Sequence, residues 1–192
     1  MLIVYGGSFN PPTNAHYEIA HYLIKKYNPS HFIFAPVGNP YGKKNLVRFK
    51  HRYNMLKLIC DQLEYASITD YENNESYEGT VSLLQHLETQ YEELPYFVLG
   101  TDNVFTLDKW INYELLLKRY RFIVIIRGNA DVDAFLKQHS VLKHYQANFI
   151  IESDFPHLEV SSSLYREGGH EEMISKEVND YIKKNKLYNR GT

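Results

Sequence analysis

Cysteine is almost missing: Cys60 stands alone in 192 residues, which excludes an internal disulfide and a cysteine-built zinc cluster. It lies in the apolar run Met55-Leu56-Lys57-Leu58-Ile59-Cys60, so a buried, inert thiol is expected rather than a nucleophile. An excess of either charge is missing too. The formal net charge of −2 leaves no extended basic face for nucleic acid. No apolar run approaches the ~20 residues needed to cross a bilayer, so no membrane association is expected. The opening residues carry neither a basic flank nor a signal-peptide pattern, and a cytoplasmic location is the default expectation. Internal repeats and low-complexity segments are absent, and the histidines show no spacing suited to a metal site.

What is present is a regular alternation. Apolar runs bounded by turn residues predict strands at Leu2–Tyr5, His31–Ala35, Ala66–Thr69, Tyr96–Leu99, Phe122–Ile126 and Asn148–Ile151. Between them run stripes with helical spacing: Ile19, Ala20, Leu23, Ile24 and Tyr27; Met55, Leu56, Ile59 and Leu63; Val81, Leu84, Leu87 and Tyr91. Trp110 to Leu117 and Val132 to Leu136 follow the same habit, and a terminal helix is expected to pack on Val178, Tyr181 and Ile182. This order predicts an α/β, Rossmann-like doubly wound parallel sheet with helices on both faces and a small C-terminal helical segment. Residues 1–192 read as a single domain, with 161–192 as that segment. Such sheets bind ligands beyond the carboxyl ends of their strands, which directs attention to the loops after Tyr5, Ala35, Leu99 and Ile151.

The first of these loops, GGSFNPPTNAH at residues 6–16, holds two glycines that permit unusual φ values and close backbone approach. Pro11 and Pro12 stiffen it, Thr13 is a good N-cap, and His16 then falls in the first helical turn. Unpaired N–H groups and the positive helix end favour an anion there; a purely structural turn is the alternative. A second candidate is Val160-Ser161-Ser162-Ser163-Leu164-Tyr165-Arg166, where three serines start a helix and an arginine fork follows one turn on.

Together the two segments resemble the nucleotidyltransferase superfamily, which carries an [H/T]-x-x-H signature after strand one and an S-S-x-x-x-R-type signature near the end. Here these read Thr13-Asn14-Ala15-His16 and Ser161-Ser162-Ser163-Leu164-Tyr165-Arg166. Leu99-Gly100-Thr101-Asp102-Asn103 with Leu107 and Trp110 is similar to a segment of nicotinate mononucleotide adenylyltransferases. Pro36 to Pro40 with Lys43-Lys44, Arg48 and His51 to Leu56, then Ser76-Tyr77 with Thr80, and the ending Tyr181 to Tyr188 extend that likeness over nearly the whole chain. Two positions depart from it. Many bacterial members have His where Thr13 stands and Gly where Ala15 stands. Thr is found at that position in phosphopantetheine adenylyltransferases and eukaryotic-type mononucleotide adenylyltransferases.

The resemblance implies transfer of AMP from ATP to nicotinate mononucleotide, giving the deamido dinucleotide and pyrophosphate, with Mg²⁺ accompanying the triphosphate. The attacking phosphate oxygen is already anionic, so orientation and charge stabilisation carry the reaction. His16, Thr13, Lys43 or Lys44, and Arg166 are the expected catalytic residues. Gly7, Ser8 and Phe9, with Ser161 and Ser162, would meet the ATP phosphates, and Gly100 and Asp102 the adenosine. Thr80 and Trp110 would place the mononucleotide. On position alone Trp110 is equally a core residue and Asp102 a helix cap. Phosphopantetheine adenylyltransferase is the rival enzyme, and a catalytically silent nucleotide-binding regulator the rival of another class. Oligomeric state is open, a homo-oligomer included.

Overall fold

The computed structural model describes residues 1–39, 45–73, 78–126, 128, 130–156, 158–168 and 170–188. Six parallel strands, β1 (Leu2–Gly7), β2 (His31–Pro36), β3 (Ala66–Ile68), β4 (Pro95–Gly100), β5 (Arg121–Ile125) and β6 (Phe149–Glu152), form one sheet in the order β3-β2-β1-β4-β5-β6. The chain winds outward from β1 to β3, then returns to the other side of β1 with β4. The strand order therefore switches between β1 and β4, and a crevice opens at their carboxyl ends.

The strand alternation sorts the core into two layers. Leu2 and Val4, Ile33 and Ala35, Phe97 and Leu99, and Phe122 and Val124 face one side. There they meet Val81, Leu84 and Leu87 of α3 (Thr80–Tyr91), Leu116 and Leu117 of α5 (Tyr113–Arg119) and Leu136 of α6 (Val132–Gln138). Ile3 and Tyr5, Phe32 and Phe34, and Ile123 and Ile125 face the other side. They pack on Ile19, Ala20 and Leu23 of α1 (Asn14–Tyr27), Met55 and Ile59 of α2 (Phe49–Cys60), and Val178 and Ile182 of α8 (Lys176–Lys184). The period of two within each strand is what makes both faces apolar. Cys60 is buried in the second layer, where burial pushes its thiol up to about 12. No described helix is long and apolar enough to cross a membrane.

Two local expectations are corrected. The stripe from Trp110 does not start a helix: Leu107–Lys109 forms a 3-10 turn, Trp110 is extended, and α5 starts at Tyr113. Asn112, in the left-handed region at φ 54°, breaks the continuity. Gly6 and Gly7 do not supply unusual φ values but complete β1. Packing favours them instead, most strongly at Gly6. A Cβ on Gly6 would lie 2.5 Å from the Phe97 ring, and one on Gly7 would lie 3.1 Å from the Phe9 ring.

The loops at the carboxyl edge are gathered by Arg52 of α2, whose side chain is completely buried. Its Nε donates to the Val47 carbonyl at 2.9 Å, Nη1 to Ser8 at 2.9 Å and Nη2 to Val37 at 2.7 Å. Burial lowers its pKa to about 10, so it stays charged at neutral pH. Arg52→Leu strands three carbonyls and is expected to cost about 3–5 kcal/mol in urea unfolding. Arg52→Lys should recover only part of this, because one ammonium cannot span the three acceptors. A loss below ~1 kcal/mol for the leucine variant would contradict this role.

Candidate functional site

A cavity of about 450 Å³ lies where β1 and β4 part, a volume suited to a bound small molecule. Its walls bring together three stretches that are far apart in sequence. Gly7, Ser8, Phe9 and His16 come from the first loop and α1. Gly100 and Asp102 come from the end of β4 and the start of α4 (Thr101–Val104), with Thr80 and Trp110 beside them. Ser161, Ser162 and Arg166 come from α7 (Ser162–Arg166) and its cap. Lys43 and Lys44 lie outside the described residues.

Thr13 is the exception among the expected residues that are described. It is buried, with 1% exposure, and does not line the cavity. Its task is to hold His16. As N-cap of α1, Thr13 donates its backbone N–H to Nδ1 of His16 at 2.9 Å, and its Oγ1 lies 2.8 Å from the same nitrogen. A capping glutamate usually takes that amide; here the imidazole does. Because a backbone amide only donates, Nδ1 must accept, and the ring proton of the neutral tautomer sits on Nε2. The Phe9 ring stands edge-on to the imidazole at 5.0 Å, and the Tyr5 ring lies 6.0 Å away. Phe9 itself is buried at φ 45°, a conformation a bulky residue adopts only under constraint from its surroundings.

Helix α7 is tied directly onto this loop. Ser162 Oγ donates to the Pro11 carbonyl at 2.7 Å, and Arg166 Nη1 donates to the Asn10 carbonyl at 2.6 Å. Arg166 Nη2 reaches Ser163 Oγ at 3.2 Å, while Ser161 Oγ caps the helix by accepting from the Leu164 amide at 3.2 Å. The two serine- and histidine-bearing segments are thus one assembly. Trp110 is half-buried and packs edge-on against Phe97 at 6.2 Å while lining the cavity, so it is both core and wall. Thr80, buried at the start of α3, follows Gly79 at φ 88°. A Cβ there would lie 3.0 Å from Cβ of Ile111, so that turn needs glycine for both space and conformation.

Sequence reasoning missed Glu72. Its carboxyl lines the cavity, accepts from the Gly38 amide, and is pushed up to about 7 by burial, against the weaker pull of that amide and of the Arg52 charge. Oε2 is buried without a hydrogen-bond partner among the described residues. Neither periodicity nor motif marks such a residue, because its burial depends on loops meeting from β2 and β3.

A family profile described as cytidylyltransferase-like matches residues 4–168. A protein of Acholeplasma laidlawii named "Probable nicotinate-nucleotide adenylyltransferase" is 36% identical over 189 residues, covering 98% of this chain and 97% of that one. The chain belongs to this family. A relative of the same name from Clostridium acetobutylicum is 33% identical, covering 96% of this chain and 97% of its own. Among solved structures, nicotinic acid mononucleotide adenylyltransferase of Plasmodium falciparum complexed with NaAD superposes with a TM-score of 0.81 at 25% identity. It covers 97% of this chain and 96% of that one. The fold is therefore the Rossmann-like α/β fold of nucleotidyltransferases, and the family is one of enzymes that use ATP as adenylyl donor.

Glu72 yields a pH prediction. A carboxyl raised from about 4.5 to about 7 holds its proton more tightly in the folded chain. Its contribution to stability therefore falls as pH rises from about 4.5 through about 7. Glu72→Gln should remove that fall and stabilise the protein by about 2 kcal/mol at pH 8, with little effect at pH 4.5. Equal unfolding midpoints for variant and wild type at pH 8 would refute the burial argument.

Proposed function

We propose that the chain transfers AMP from ATP to the 5′-phosphate of nicotinate mononucleotide, releasing pyrophosphate and forming the deamido dinucleotide. The reading is carried by the assembly of His16, the first loop and α7 around one cavity, with the His16 ring oriented by the Thr13 amide at Nδ1. The NaAD held by the Plasmodium falciparum relative supports the same reading. Residues 1–192 act as one nucleotidyltransferase domain under this reading, in the cytoplasm.

An oxygen of the mononucleotide phosphate attacks the α-phosphorus of ATP. A new P–O bond forms, the α–β bridging bond breaks, and its electrons leave with pyrophosphate. The nucleophile is already ionised at neutral pH, so no general base is needed. The protein's work is alignment and charge stabilisation. Nε2–H of His16 donates to the α-phosphate as charge builds on it, and its aim is set by the Thr13 amide. The backbone of Gly7, Ser8 and Phe9 lines the phosphate path at the positive end of α1. Ser161, Ser162 and Arg166 meet the β- and γ-phosphates, with Lys43 or Lys44 as the further cation. Gly100 and Asp102 border the adenosine, while Thr80 and Trp110 place the mononucleotide, the indole against the pyridine ring.

Among the described residues no three His, Cys, Asp or Glu side chains converge on a metal position. Mg²⁺ accompanying ATP would be held mainly by phosphate oxygens and water, and would neutralise part of the triphosphate charge.

His16→Ala should lower kcat by roughly 10²–10³-fold, the usual cost of removing one preorganised donor, as read by pyrophosphate release. Near wild-type kcat would defeat the assigned role. Trp110→Ala should raise KM for nicotinate mononucleotide about tenfold with KM for ATP largely kept. An equal rise for both substrates would mark Trp110 as core alone. Assaying nicotinate mononucleotide, phosphopantetheine and a no-acceptor control in parallel separates this reading from the adenylyltransferase and regulator alternatives.

A further inference from the structure

The ending Leu187-Tyr188 has no part in the chemistry above. It nonetheless reaches the site. The Tyr188 hydroxyl donates to Oδ1 of Asn10 at 2.8 Å, across 178 residues of sequence. The same oxygen accepts the Val47 amide at 3.1 Å, and Nδ2 of Asn10 donates to the Asn45 carbonyl at 3.0 Å. The Asn10 carbonyl takes Nη1 of Arg166. Asn10 is 3% exposed and sits between Phe9 and Pro11, so it is where the first loop, the 45–47 turn and α7 are joined.

The chain after α8 is shaped to deliver that hydroxyl. The Leu187 amide bonds back to the Ile182 carbonyl, and Lys186 and Tyr188 lie in the left-handed region at φ 51° and 53°. An aromatic residue takes that conformation at a cost, which the contacts of its side chain must offset. The Tyr188 ring stands edge-on to Tyr165 of α7 at 6.2 Å, and burial pushes its hydroxyl well above the usual phenol range. The hydroxyl therefore stays protonated and acts as a donor across the working pH range.

We propose that Tyr188 is a positioning residue for the phosphate loop: its hydroxyl locks Asn10, and through the Asn10 carbonyl sets where Arg166 meets the triphosphate. The C-terminal turn thus determines the geometry of a loop built by the first residues of the chain. The inference rests on the adenylyl-transfer reading for its kinetic consequence, while ATP affinity tests it independently.

Tyr188→Phe keeps the ring and its contact with Tyr165 but removes the donor. The expected result is about tenfold lower kcat/KM for ATP, with KM for nicotinate mononucleotide within about twofold of wild type. Binding of a non-hydrolysable ATP analogue, followed by calorimetry, should weaken by a similar factor. Asn10→Ala removes this bond together with those to Val47 and Asn45, so its defect should be at least as large, and the double variant should lose no more than Asn10→Ala alone. Additive losses, equal loss for both substrates, or unchanged analogue affinity would overturn the proposal. A wild-type chain that binds the analogue but adenylylates no mononucleotide would defeat the functional reading, and analogue affinity would still decide the role of Tyr188.

Discussion

A single buried guanidinium ties the ligand-binding edge of this protein together. Arg52 leaves helix α2 and meets three carbonyls in two loops: Ser8 after β1, and Val37 and Val47 at the two ends of the connection from β2 to α2. A parallel sheet leaves the ends of its loops without ladder partners, and buried carbonyls without donors are costly. The arginine fork satisfies three at once, and each bond helps to offset the desolvation of the charge. Because Ser8 is one of the acceptors, the same residue that closes the edge also shapes the wall of the cavity.

On that frame the cavity wall is built mostly from groups held by other groups. His16 is aimed by the Thr13 amide and flanked by Phe9 and Tyr5. Arg166 bonds the loop it lies against, and Ser162 does the same through its hydroxyl. Preorganisation of this kind lets donors meet developing charge without reorganising, which suits a reaction in which two polyanions must be aligned. Glu72 adds a contrary element. A carboxyl at the wall of the proposed phosphate site is tolerable because burial makes its neutral form accessible near pH 7.

The departures from the usual bacterial pattern become intelligible in these terms. Thr13 is buried behind the imidazole rather than in the cavity, so a hydroxyl in place of a second ring alters how His16 is supported, not which side chains line the cavity. Ala15 is likewise buried and absent from the cavity wall, where its methyl group takes no room from a ligand.

Local pattern was enough to read six strands, the helices between them and the doubly wound arrangement, because strand and helix periodicities are properties of neighbouring residues. It also marked His16, Ser161, Arg166 and Asp102, since their motifs are short and contiguous. What it misread depends on contacts between distant segments. Gly6 and Gly7 read as sites of unusual dihedrals, yet the Phe97 ring leaves no room for a side chain at Gly6, the Phe9 ring crowds Gly7, and the strained φ falls on Phe9. Trp110 looked helical until Asn112 interrupted the stripe. Arg52, Glu72, Asn10 and Tyr188 owe their roles to loops from both ends of the chain meeting at one sheet edge. Sequence alone was enough for the layers and for nominating most of the residues that line the cavity. Only the tertiary structure decided which groups face the cavity and which hold others in place, because burial and hydrogen-bond partnership arise between segments up to 178 residues apart.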